Sequence, residues 1–261
     1  MKVCTARKKL VIRGLLFLLL LGGGVAGRIV YAAHDPLMDR DSVLYCEIAD
    51  KWHRSGDIDI ALESRVGNTN PGYIFLLKKG IDWGFPVILW GRGISLAASV
   101  VFFLAMYGIG RCVFPRCGGE VLLLIAALHP VAGQLAMTLL RDPVCLALYA
   151  VCFLAVLQVC CNPERWWWTA LFAVSGACAF FLRYEALELL SVFFLLTWFS
   201  LREGKDWRVL RRAWLHCVFW YMTVGGLLMW SMGLSWGKML MAPGKKFEAI
   251  VSCVRWWACI F

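Results

Sequence analysis

Charge is what this sequence has least of. Only 17% of its 261 residues are Asp, Glu, Lys or Arg, while 61% are hydrophobic; an ordinary soluble domain carries roughly 25% charged residues. A soluble fold of this length needs more polar surface than that to cover its core. Metal-ligand patterns are scarce as well. There are four histidines, and Cys112 and Cys117 form a single C-x4-C spacing with no second pair. A structural zinc site wants four ligands, so this spacing does not make one. Gly22-Gly23-Gly24 stands inside an apolar run, without the strand and helix that surround a phosphate-binding loop. No cofactor is evident, and a divalent ion near His34, His53 and the aspartates of the same loop has no repeated ligand spacing to support it. The twelve cysteines do not make a disulfide framework. Cys145, Cys152, Cys160, Cys178 and Cys217 lie within apolar blocks, where cysteine behaves as a small hydrophobe.

What is present is a series of apolar blocks: Leu10–Ala33, Val87–Ile109, Val121–Leu140, Val144–Cys160, Trp166–Leu182, Ala186–Leu201 and Ala213–Trp236. Most have the length that crosses a bilayer as a helix. The expectation is an all-α polytopic membrane protein, residues 1–261 forming a single membrane domain with about seven transmembrane helices. The N-terminus is basic and then apolar, as in a secretory signal. Its apolar stretch is longer than a signal needs, however, and further spans follow, so an uncleaved first helix fits better.

The net charge of +10 reports topology. Basic residues gather at the N-terminus, at Arg111 and Arg116, at Arg165, and over Arg202, Lys205, Arg208, Arg211 and Arg212. With seven spans these are alternate loops, and the positive-inside rule makes their side cytoplasmic. The N-terminus is then cytoplasmic, the localisation is the cytoplasmic (inner) membrane, and nucleic acid is not implied. Trp166-Trp167-Trp168 reads as an interfacial belt on that side.

The opposite face receives residues 34–86, an extracytoplasmic first loop with nine of the seventeen acidic residues. Ser42–Ser55 has the pattern of an amphipathic helix with Asp41 or Ser42 as its N-cap. Residues 68–72 are a turn cluster. Tyr73–Gly80 then resumes an apolar pattern, and the two helices suit a membrane surface. The same face receives Arg141-Asp142 and Arg183-Tyr184-Glu185.

An aspartate after the first span, Asp41-x-x-x-Tyr45-x-x-x-Ala49, a glycine at 56, and Asn70-Pro71-Gly72-Tyr73 before the second span together resemble the GT-C glycosyltransferases. The likeness is to the branch containing protein O-mannosyltransferases and lipid A aminoarabinose transferases. Leu128-His129-Pro130, Arg141-Asp142 and Arg183-Tyr184-Glu185 are similar to features of that branch. The resemblance covers roughly residues 10–236 and implies transfer of a sugar from a polyprenyl-phosphate carrier to a glycan, lipid or protein acceptor outside the cytoplasm. By it, Asp41 matches the acidic catalytic position, with Asp39 as the alternate. Relatives carry several more spans, and residues 237–261 read as the start of a further one. The chain is therefore expected to be a truncated product, a minimal member, or half of a two-part enzyme.

Such a transfer needs a base, a cation for the phosphate and an apolar groove. Asp41 and Asp39 are the candidate bases; the plainer roles are a helix cap for Asp41 and a solvent-facing side chain for Asp39. Arg141, Arg183, Lys78 and Lys79 are the candidate phosphate contacts, with Tyr45 and Glu185 completing the candidate substrate site. The competing role for Arg141 is pairing with Asp142 or snorkelling, and for Arg183 an ion pair with Glu185 or Glu188. Two other functions compete with the enzyme: a non-catalytic or truncated membrane subunit, and a transporter of lipid-linked substrate. A transporter prefers polar residues mid-span and an internal repeat, and neither is evident.

Overall fold

The computed structural model describes residues 2–34, 40–62, 70–114, 117–130, 134, 138–202 and 207–234. Among them the chain is helical without a strand. Its elements are α1 (Lys2–His34), α2 (Arg40–Ser55), α3 (Ile58–Leu62), α4 (Pro71–Asp82), α5 (Val87–Val113), α6 (Gly118–Leu128), α7 (Asp142–Cys161), α8 (Trp166–Leu182), a 3-10 turn (Tyr184–Leu187), α9 (Glu188–Arg202) and α10 (Trp207–Met232).

Among the described residues four helices are long and apolar enough to cross a membrane: Val11–Tyr31 of α1, α5, α7 and α10. Their outer surfaces are those of an integral membrane protein. Leu19 is 72% exposed, Leu89 67% and Trp230 82%, a density of bare apolar side chains that water would not tolerate. The other three expected spans are shorter helices. The block from 121 to 140 is helical to Leu128 and breaks at His129, whose backbone is extended; Pro130 follows, and the residue before a proline is pushed out of the helical region. Helix α8 has 17 residues. Helix α9 begins at Glu188 instead of Ala186, because Tyr184–Leu187 winds as a 3-10 turn. The segment 237–261 lies outside the described residues.

The helices form three packed groups. Phe103, Leu123 and Ala126 fasten α1 to α5 and α6. Cys152, Val156, Phe172, Phe193 and Cys217 join α7, α8, α9 and α10. The third group caps one end of the bundle: Tyr45, Ile48, Trp52, Tyr73, Ile74 and Leu77 of the first loop pack on Cys145, Phe181, Leu182 and Met229. At the other end, α5 and α6 approach at backbone distance, since a Cβ on Gly110 would lie 2.1 Å from the carbonyl oxygen of Gly118.

Helix α2 forms because Tyr45, Ile48, Ala49 and Trp52 recur at helical spacing, and all four are buried. It starts at Arg40, so Asp41 sits in its first turn and is not the cap; a carboxylate there complements the helix dipole. Helix α4 is packed inside the protein. Tyr73, Ile74 and Leu77 are fully buried, and the helix packs on α2, α5 and α8. It ends where Gly84, at φ +78°, lets the Phe85 N–H reach the Gly80 carbonyl and the Gly84 N–H reach that of Ile81, the paired bonds of a left-handed helix stop.

Candidate active site

The first-loop cap brings three separated stretches of sequence to one place. Tyr45 is 7% exposed, on the inner face of α2. Burial raises the pKa of its phenol, and its hydroxyl lies within electrostatic reach of Arg141, Asp41, Asp142 and Arg183. Asp41 is one helical turn before Tyr45 and is exposed. Arg141 and Asp142 open α7, and Arg183 follows the last residue of α8. The charges of two arginines and two aspartates thus act on one tyrosine of the cap.

Their pairing departs from what sequence adjacency suggests. Arg183 donates through Nη2 to Oδ1 of Asp142, so its ion-pair partner is neither Glu185 nor Glu188. The Nε of Arg183 is buried without a hydrogen-bond partner. Arg141 is half-buried beside this pair. Glu185 is exposed on the 3-10 turn and lies within electrostatic reach of Cys145 and Tyr149 of α7.

The turn residues before α4 hold the cap against α8. A Cβ on Gly72 would lie 2.6 Å from the Phe181 carbonyl oxygen, so only glycine permits this approach. Asn70 is buried beside it in sequence, with its Nδ2 unpartnered.

Lys78 and Lys79 are engaged elsewhere. Lys78 Nζ lies 2.7 Å from Oδ2 of Asp82 and Lys79 Nζ lies 3.6 Å from it, while His53 Nδ1 is 2.7 Å from Oδ1. Slight burial pushes the Asp82 carboxyl up, but hydrogen bonds from Lys78 and His53 and the charges of both lysines outweigh it. The net result is a pKa below the ordinary value. His53 thus serves a carboxylate within an ion-pair network, and among the described residues no three His, Cys, Asp or Glu side chains gather to hold a metal. Asp39 lies outside the described residues, and the side chain of His34 is likewise undescribed.

Two residues escaped the sequence reading. Asp142 was considered only as a partner of Arg141, yet it is the acid that meets Arg183. Arg28 lies inside the first apolar block, Leu10–Ala33. An arginine inside an apolar span is costly and marks function by default, and that signal was available. Comparison with protein-family models, curated proteins and solved structures finds no match to this chain.

Proposed function

We propose that this protein is a membrane glycosyltransferase of the GT-C kind, transferring a sugar from a polyprenyl-phosphate carrier to an acceptor hydroxyl on the extracytoplasmic face. In this reading the apolar run 121–140, of which α6 is the first part, completes seven crossings together with α8 and α9, and the N-terminus lies on the cytoplasmic side of the inner membrane. The observation that carries the proposal is that Tyr45 of α2 packs in one cluster with Cys145 of α7 and Leu182 of α8, which brings Asp41, one turn before Tyr45, to the same end of the bundle as the Arg183–Asp142 ion pair. Sequence motifs chosen by resemblance come from three separate stretches, and they meet at one end of the helix bundle.

The chemistry assigns a step to each group. Asp41, exposed beside Tyr45, takes the proton from the acceptor hydroxyl. The acceptor oxygen then bonds to the anomeric carbon, while the bond from that carbon to the carrier phosphate oxygen breaks and its electrons pass to the phosphate. Arg141 and the unpartnered Nε of Arg183 stabilise that leaving charge. Asp142 orients Arg183 by holding one of its nitrogens.

A second reading, a non-catalytic membrane subunit, is favoured by the same ion pair. Arg183 and Asp142 neutralise one another, and Lys78 and Lys79 are drawn to Asp82. The test uses the full chain in detergent or nanodiscs, supplied with radiolabelled polyprenyl-phosphate sugars and lipid or glycan acceptors. Asp41→Asn is expected to lower transfer by about a hundredfold or more, the scale of general-base catalysis. Tyr45→Phe, which keeps the ring packed on Tyr73, is expected to lower transfer without lowering the melting midpoint. Transfer that survives Asp41→Asn removes Asp41 as the base, and an absence of transfer from every donor supports the subunit reading.

A further inference from the structure

Away from the Tyr45 cluster, α1 and α6 enclose a groove of about 560 Å³, within the roughly 300–1,000 Å³ typical of small-molecule sites. Its walls are mostly apolar, and Gly23 and Gly27 supply part of one side. A Cβ at either glycine would meet nothing within 4 Å, so the missing side chains leave open space and no helix contact requires them. By contrast, Gly24 on the neighbouring face is needed for packing, its Cβ position lying 3.0 Å from Phe103.

One cation lines this groove. Arg28 is 4% exposed. Its Nη2 donates to the Ala126 carbonyl at 3.2 Å, its guanidinium carbon stands 4.3 Å from the centre of the Phe103 ring, and its Nε is buried without an acceptor. No carboxylate pairs with it among the described residues, and none of the groove-lining residues is acidic. A buried charge without a counter-charge is expensive unless something supplies one. Arg28 lies three residues inside the span end at Tyr31, roughly 4.5 Å along the axis, a depth at which an arginine can meet lipid headgroups.

We propose that this groove binds an anionic phospholipid, with an acyl chain lying over Gly23 and Gly27 and its phosphate taking the open hydrogen bonds of Arg28. The guanidinium selects a phosphate because its planar fork matches two phosphate oxygens. A zwitterionic headgroup fits less well, since its ammonium finds no carboxylate in the wall. The site lies apart from the Tyr45 cluster and involves none of the residues given a step in the transfer, although Leu128, His129 and Pro130 of the resemblance line it.

Native mass spectrometry of the full chain in detergent, exposed to equal amounts of phosphatidylglycerol and phosphatidylcholine, tests the assignment. Wild-type protein is expected to retain phosphatidylglycerol about tenfold over phosphatidylcholine, whose choline ammonium cancels the net charge that Arg28 would otherwise meet. Arg28→Leu is expected to abolish that preference. Gly23→Leu and Gly27→Leu keep Arg28 but fill the groove, and are expected to lower retention of both lipids; they decide the matter even if Arg28→Leu fails to fold. Equal retention of the two lipids by wild-type protein, or an unchanged preference in Arg28→Leu, would overturn the proposal. So would displacement of phosphatidylglycerol by inorganic phosphate, which marks a free-anion site, or by an equimolar polyprenyl phosphate, which marks a carrier site.

Discussion

Arg183 donates to the carboxylate of Asp142 across 41 residues of sequence, tying the turn after α8 to the first residue of α7. Asp142 also follows Arg141 directly in the sequence, yet its ion-pair partner is the arginine of a different element. Asp142→Asn should leave Arg183 without its counter-charge. Because the Arg183 side chain is 40% exposed, water screens much of the loss, and the cost is expected to be about 1 kcal/mol or less. Thermal unfolding in detergent reads this as a small drop in midpoint, and an unchanged midpoint would show that the pair contributes orientation without stability.

The Asp82 network predicts a response to acid. Its carboxyl titrates below the ordinary value of 3.8, so the folded state holds the ionised form more tightly than the unfolded chain does. The resulting stabilisation is fully present above the unfolded pKa and is lost as pH falls through the lower folded pKa. The melting midpoint of the wild type should therefore fall more steeply than that of Asp82→Asn between about pH 5 and pH 3. Parallel curves for the two proteins would show that Lys78, Lys79 and His53 do not stabilise the fold through Asp82.

Gly72 offers a purely steric prediction. A methyl group there meets the main-chain oxygen of Phe181 at 2.6 Å, and a backbone atom cannot swing aside as a side chain can. Gly72→Ala should cost about 1–3 kcal/mol. Gly226→Ala, in α10 with nothing within 4 Å of its Cβ position, should be neutral or stabilising by up to about 1 kcal/mol. Matched denaturation of the two variants separates a packing role from the general effect of placing alanine in a helix.

Much of the cap was legible because its helices carry periodic signals. Tyr45, Ile48, Ala49 and Trp52 mark the buried face of α2, and Asn70-Pro71-Gly72 marks the start of α4. The depth of α4 was not legible: Tyr73, Ile74 and Leu77 suit a membrane surface and a protein interior equally, and only tertiary contacts decide between them. The capture of Lys78 and Lys79 could have been read, since Asp82 lies four and three residues further along the same helix. The Arg183–Asp142 pair could not, because nothing local competes visibly with Glu185 and Glu188. Block hydropathy also carried the third apolar run through Pro130, although the local geometry of His129 stops the helix there.

The contact between Gly110 and Gly118 bears on how the chain enters a membrane. Helix α6 has eleven residues, a rise of roughly 16 Å, about half the thickness of a hydrocarbon core. Left alone it would be stranded partway. Its backbone is instead latched to the far longer α5 at a point where neither chain has a side chain to yield. The pair therefore behaves as a hairpin with one carrier and one passenger. The closeness of α5 and α6 at this point depends on two hydrogen atoms standing where methyl groups would otherwise be.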